Sequence, residues 1–442
     1  MINSFKFWLS TLCWAVCFPT LVFAESTTKL EFLGLILFLF YLLLACLKLR
    51  KNSLIILTIL AVIGTVLIGD WPSWQELQSS SEFLLIFACL FPTLAVMRSM
   101  AITMTPMLET QKRLAALDGK NAASGIQLTS HLIGSVINIG TFSIIAAALP
   151  QNADIKKRSV AAISAMRGMN SSILWSPFFI SFAVASIYLP DGFAMGAISL
   201  GALIAAFFFA SSHFIIHSKT GNNSLLESIE PLKPIIFWLI LIGISVIVMS
   251  LITGFNALKA VCVTMPLLFI ITLVSRPAIT KQVFKNFSHL QKKSGDEILI
   301  ISVSMIIATQ ISEAGQLQMV LSYFYGTEPT IRSILISLPI LVWLAAVFGI
   351  HPIISAAPLL AYFSTNLTIF DAAFVAQAHM IGWSAGTMVS FSSLSTILVS
   401  QQFKLNNTTL SFGTNFPVAA LLATVGGLLL ILLYELLSFI LL

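Results

Sequence analysis

Residues 121–151 read NAASGIQLTSHLIGSVINIGTFSIIAAALPQ. The run is apolar enough to enter a bilayer, yet both flanks are basic, with Lys112, Arg113 and Lys120 before it and Lys156, Lys157 and Arg158 after it. Lys and Arg beside membrane helices stay on the cytoplasmic face, so a single crossing would strand one cluster outside. A hairpin that enters and leaves by the same face, with hairpin bounds 121–151, keeps both inside. Ile133-Gly134-Ser135 at its midpoint offers the turn, because glycine reaches backbone conformations closed to other residues. Non-helical backbone at that depth is tolerated only where protein or a water-filled cavity surrounds it.

Composition points the same way. Of 442 residues, 58% are hydrophobic and 9% charged, where a soluble domain carries roughly 25% charged. Apolar runs long enough to cross a ~30 Å hydrocarbon core recur along the whole chain. Helices satisfy their own backbone hydrogen bonds in lipid. The roughly ten-residue alternating segments of a β-barrel are absent from the sequence. The net charge of +6 lies in short clusters between apolar runs, which argues for membrane topology and against a nucleic-acid partner. Cys13, Cys17, Cys46, Cys89 and Cys262 sit in apolar stretches without metal-ligand spacing and read as packing residues.

The N-terminus allows two readings. Lys6, an apolar run and Val22-Phe23-Ala24 make residues 1–24 either a signal peptide or a first transmembrane helix, and both leave Glu25 outside. From there, apolar segments 30–47, 54–69 and 82–97 thread in, out and in. The hairpin follows, then 159–188 out and 193–216 in, with 217–233 as a cytoplasmic linker. Segments 234–253, 257–275 and 297–312 repeat the alternation, passing the basic loop of Arg276, Lys281, Lys285, Lys292 and Lys293. Segment 330–363 is interrupted by Gly349-Ile350-His351-Pro352. Proline removes a donor and breaks a helix, so this predicts a second hairpin, entered from outside. Segments 370–402 and 415–440 complete the chain, and 19 of the 23 Lys and Arg residues fall inside, Lys29, Lys259, Arg332 and the intramembrane Arg167 excepted.

The path contains a repeat. Residues 25–216 give three crossings, a hairpin and two crossings, and residues 234–442 give the same order from the opposite side. The expected fold is therefore an all-α polytopic membrane protein with an inverted-topology repeat. It has about ten or eleven transmembrane helices, two re-entrant helical hairpins and broken helices. Met166-Arg167-Gly168 and Ser176 echo Met380-Ile381-Gly382 and Ser390 at an offset of 214, and Ile133-Gly134 falls opposite Phe348-Gly349 at 215. Met107–Asp118 and Gln316–Tyr325 precede the two hairpins and have the mixed composition of helices lying in the membrane interface, or of solvated loop helices.

Polar and small residues interrupt the hydrophobic pattern at Ser130–Gly140, Arg167–Pro177, Gly349–Ser355 and Gly382–Ser393. A broken helix exposes amide donors at one half-helix start, which suit an anion, and carbonyls at the other half-helix end, which suit a small cation. The candidate binding side chains are Asn138, Asn170, Ser171, Ser172, Ser176, Ser384, Thr387, Ser390 and Ser392. The bland alternative is that Gly and Ser here only permit close helix packing. An ionised arginine within the membrane is costly and usually kept for function. Arg167 could attract a carboxylate or sulfonate, bond backbone carbonyls at the break, or snorkel toward the cytoplasm. His351, and less so His131 and His379, could carry a proton or serve as neutral hydrogen-bond partners. Glu313, Asp371 and Glu435 lie near crossing ends, so no carboxylate pair meets at mid-membrane.

With its paired three-crossing, hairpin and broken-crossing halves, the layout resembles the ion transporter superfamily, especially the divalent anion:sodium symporters and the arsenite and sodium/proton antiporters. The resemblance covers nearly the whole chain. The symporters' Ser-Asn-Thr tip motif is replaced by Ile133-Gly134-Ser135-Val136-Ile137-Asn138 in one hairpin and Gly349-Ile350-His351-Pro352 in the other. Arg167 has no counterpart in the symporter pattern. The resemblance implies substrate and ion between hairpin tips and helix breaks, a homodimer, and elevator-type movement. The expected function is secondary transport of a small organic or inorganic anion across the inner (cytoplasmic) membrane, coupled to Na+ or H+ and without a cofactor. A cation/proton antiporter is the alternative in the same class. A membrane-embedded lipid or glycan-processing enzyme is the alternative of another class, disfavoured by the lack of a His/Asp/Glu cluster and of large loops.

Overall fold

A computed structural model describes residues 2–23, 28–47, 49–67, 71–117, 119–150, 152–217, 225–313 and 315–441. Glu25 and Asp118, named above, lie outside the described residues, as does the side chain of Lys120. The described residues form helices and no strands. Among the described residues, nine helical stretches are long and apolar enough to cross a membrane, one of them Ala122–Ala148, the stretch that turns at Asn138. The stretches 155–188, 331–363 and 369–403 are not among the nine: 331–363 is divided into helices of 17 and 12 residues, while Ile155–Ser172 and Ile369–Val389 are long enough but too polar.

The chain forms two compact units, and each draws on both halves of the sequence: Met1–Thr103 with Val246–Phe324, and Met104–Ser245 with Tyr325–Leu442. In the first unit, helix Ile2–Val22 packs against Thr28–Cys46 and Ser81–Thr103, which buries Cys13 and Cys17. Helix Thr280–Lys293 runs through the basic stretch that reads as a loop in sequence. Its Val283 and Phe287 turn inward, Phe287 against Phe7 and Val96, while Gln291 Nε2 donates to Ser10 Oγ at 2.8 Å. Charge periodicity hid this helix, since five cations over 18 residues mask an apolar face of only two or three positions.

A buried acid ties this unit together. Asp296 Oδ2 accepts from the Arg50 amide at 3.1 Å, Arg50 Nε at 2.9 Å and Ser53 Oγ at 2.7 Å. Its side chain is 11% exposed, and removing one partner of a buried charged network leaves the others without compensation. Asp296→Ala is expected to cost roughly 2 kcal/mol, read as a lower thermal midpoint of the purified protein. An unchanged midpoint would show the cluster to be energetically idle.

The second unit holds every interruption. Helix Gly119–Ile137 ends at Asn138, whose φ of +61° turns the backbone, and Thr141–Ala148 follows. The chain doubles back here: Gln111, on helix Thr105–Ala115, donates to the Ile144 carbonyl at 3.2 Å, and Leu117, Ala122 and Ile126 share one cleft with Ala148, Leu149 and Pro150. The turn lies at Asn138 rather than at the expected Gly134. Asparagine tolerates left-handed backbone, and here its own Oδ1 accepts the Ile139 amide at 2.7 Å. Gly134 stays helical and serves close packing instead, since a Cβ there would come within 3.2 Å of the Met169 backbone.

Helices Ile331–Val347 and Pro352–Phe363 double back likewise. Gly349, at φ +83°, makes the turn, and Pro352 opens the return helix, where its missing donor costs nothing. Tyr362 donates to the Gly326 carbonyl and Phe363 meets Tyr325 at 5.5 Å, so the end of the return helix lies beside the chain that leads into the first. After each doubled-back pair comes a broken helix: Ile155–Ser172 then Ile180–Tyr188, and Ile369–Val389 then Leu394–Phe403. Ser176-Pro177 and Ser390–Ser393 lie in the two breaks.

Candidate functional site

Each break is fastened to the tip of the doubled-back segment before it. In the first half, Ser176 Oγ donates to the Ser135 carbonyl and accepts the Phe178 amide at 3.2 Å, while Asn138 Nδ2 reaches the Phe178 carbonyl at 3.5 Å. In the second half, Ser392 Oγ donates to the Gly349 carbonyl at 2.8 Å, and Ser390 Oγ lies 2.9 Å from Ser392 Oγ. Ser135 and Gly349 are separated by the same 214 positions as Ser176 and Ser390. A break serine thus fastens a tip carbonyl in each half, Ser176 in the first and Ser392, two positions past Ser390, in the second.

His131 belongs to the first cluster. Trp175 Nε1 donates to His131 Nε2 at 3.0 Å, so that ring nitrogen carries no proton. Nδ1 then holds the proton and donates to Ser171 Oγ at 2.9 Å, and Ser171 donates on to the Gly168 carbonyl at 2.8 Å. The network assigns a neutral histidine, because an imidazolium would set two donors against each other at Nε2. His351 caps the Pro352–Phe363 helix, its Nδ1 accepting the Ile353 amide at 3.3 Å, and its ring meets Trp383 edge-on at 6.1 Å. Among the described residues this ties His351 to its own helix start.

The two breaks meet at Asn170. Ser384 Oγ donates to the Asn170 carbonyl at 2.7 Å, and the Thr387 and Ser395 hydroxyls donate to Asn170 Oδ1 at 3.0 and 3.1 Å. Asn170 and Ser384 are 214 residues apart, the repeat offset itself. Asn170 is fully buried, and the other end of its carboxamide has no protein partner among the described residues. Hydroxyls both donate and accept, so the order of O and N in this amide follows what its free end meets: a donor for an anion, an acceptor for a cation.

The structure thus brings together Asn170, Ser384 and Thr387 at one point, Ser171 with His131, Ser176 and Asn138 at the first tip, and Ser390 at the second. Ser172 is turned back onto its own helix, donating to the Met169 carbonyl at 2.6 Å. Arg167 points elsewhere: Nε donates to Asn415 Oδ1 at 3.0 Å and Nη2 to the Thr414 carbonyl at 2.9 Å, at the start of helix Asn415–Leu441. Sequence reading missed Ser395 and Ser393. Ser393 caps Leu394–Phe403 and donates to the Thr387 carbonyl at 2.9 Å. The signal was present in the hydroxyl-rich run from Ser390 to Thr396. Gln377 was also missed; oriented by its neighbours, its amide nitrogen donates to the Leu174 and Ala197 carbonyls at 2.8 and 3.1 Å, holding the first break from the second half.

The chain was compared with known proteins: no protein-family model matches it, and no curated protein matches it significantly.

Proposed function

We propose that this chain is a secondary transporter of a small anion, resembling the ion transporter superfamily, working in the inner (cytoplasmic) membrane with Na+ or H+ as coupling ion. The observation that carries the reading is Asn170, a buried carboxamide held by the other half's broken helix with one end left for a ligand. Buried polar groups without partners are costly, and non-helical backbone inside a membrane protein is kept where it lines a polar chamber. Half-helix starts supply amide donors to an anion, and half-helix ends supply carbonyls to a cation. The doubled-back segments would enter the membrane as re-entrant hairpins. Both breaks and both tips belong to one compact unit, so an elevator could carry the whole site as one body. A homodimer is part of the same proposal.

The test is flux into proteoliposomes of purified protein, with a panel of dicarboxylates, sulfate and sulfonates under an inward Na+ or H+ gradient. Uptake of an anion that collapses without the cation gradient is the expected result. Gradient-driven pH change without added anion would instead make the chain a cation/proton antiporter. No flux from folded, correctly inserted protein would overturn transport altogether.

The antiporter reading has one observation in its favour, the anchoring of Arg167 to Thr414 and Asn415. Arg167 thus acts as a positioning residue that fixes the broken helix to the start of the last one. Arg167→Gln is expected to lower the thermal midpoint and cut maximal flux about tenfold with KM unchanged, because the planar fork makes two directed bonds that glutamine cannot replace. A large rise in KM with unchanged stability would instead place the guanidinium on the substrate.

A further inference from the structure

A cleft of ≈ 280 Å³ opens at the base of the first doubled-back segment. Its walls are apolar, with Leu114, Leu117, Ile126, Leu149 and Val160 from four successive stretches of chain, and Lys156 and Lys157 stand at its mouth. Both lysines are exposed, and neither takes part in a salt bridge among the described residues. Among the described residues the acid lining the cleft is engaged: Asp154 Oδ1 accepts the Lys157 amide at 2.6 Å as the cap of helix Ile155–Ser172. The neighbouring cation Arg113 is occupied by Glu109 at 2.5 Å and Glu230 at 2.7 Å. Two unpaired ammonium groups over an apolar slot call for a ligand that is anionic at one end and hydrocarbon at the other.

The surroundings say which ligand. Ile155 and Val160 are 67% and 41% exposed on either side of the lysines, which suits a boundary between oil and headgroups better than one facing water. The charge threading puts this face on the cytoplasmic side, where basic pockets between membrane helices bind acidic headgroups. The corresponding part of the second half, near residues 362–375, carries no lysine, so the site is single and not a product of the repeat.

We infer that this cleft binds one anionic phospholipid, its phosphate on Lys156 and Lys157 and an acyl chain between the arms of the doubled-back segment. The site is distinct from the one at Asn170 and stands whether or not the chain transports an anion. Because its walls come from both arms, an occupied cleft braces the segment whose tip fastens the first break.

Native mass spectrometry of the full-length protein, titrated with long-chain phosphatidylglycerol or phosphatidylcholine, tests this. Wild type is expected to retain one phosphatidylglycerol and no phosphatidylcholine, and Lys156→Gln with Lys157→Gln to bind it about 30-fold more weakly, near the loss expected for two surface lysines. The double Lys→Arg variant keeps the charge and should keep binding, which separates lost charge from lost folding. Ala122→Phe fills the slot without touching the lysines and should weaken the long-chain lipid by about tenfold or more. Equal retention by wild type and the Gln variant, or equal retention of phosphatidylcholine, overturns the site. Full displacement of the lipid by millimolar inorganic phosphate would also overturn it, showing that a free anion suffices.

Discussion

Replacing Asn170 with alanine is expected to reduce anion flux about 100-fold while the protein remains folded and inserted. Ser395 would lose its side-chain acceptor at a site 4% exposed, while Thr387, which also approaches the Trp383 and Ser384 carbonyls at 3.0 Å, keeps a partner. A stranded hydroxyl costs about 1–3 kcal/mol, and 2.7 kcal/mol in a rate-limiting step is about 100-fold. The Ser384 bond survives, because it goes to the Asn170 backbone carbonyl; the fold is therefore expected to hold. Asn170→Asp sharpens the test by keeping an acceptor for both hydroxyls and adding negative charge at the free end. Anion binding should be lost and cation binding kept or strengthened, measured by isotope uptake beside cation-dependent thermal shift. Near-wild-type anion flux in both variants would sink the assignment of this point as the binding site.

A large effect on stability is expected at Gly168. A Cβ there would lie 2.1 Å from the Gln127 carbonyl oxygen and 2.9 Å from the Ser130 side chain. A backbone oxygen in the middle of a helix cannot move aside as a side chain does, so helices Gly119–Ile137 and Ile155–Ser172 must separate. Overpacking of this kind costs about 1–3 kcal/mol or more, which corresponds to a thermal midpoint lower by about 2–6 °C. Gly168→Ala should show that loss and should also loosen the His131–Ser171 and Ser176–Ser135 contacts between the same two stretches, lowering flux. Gly243→Ala is the control, since nothing lies within 4 Å of that position. Equal midpoints for the two variants would mean that the close approach at Gly168 does not hold these helices together.

The amino-acid sequence by itself determined the class of molecule and the local shape of its backbone. Apolar runs at 30–47, 82–97 and 257–275 became helices Thr28–Cys46, Ser81–Thr103 and Ala257–Ser275, because length and hydropathy suffice to choose a helix in lipid. The breaks at Ser176-Pro177 and Ser390–Ser393 were equally legible, since proline and a cluster of hydroxyls disfavour continuous helix locally. The first turn was displaced from Gly134 to Asn138, because glycine signals both freedom to turn and room for a neighbour, and only Met169 packed against Gly134 tells which applies. Tertiary structure alone decided that Asn170 is where the halves meet, that Ser395 joins it, and that Arg167 is anchored at Thr414 and Asn415. Those partners are between 214 and 248 positions away. A side chain's chemistry is written in the residue, but its partner at such separation is set by how the helices pack.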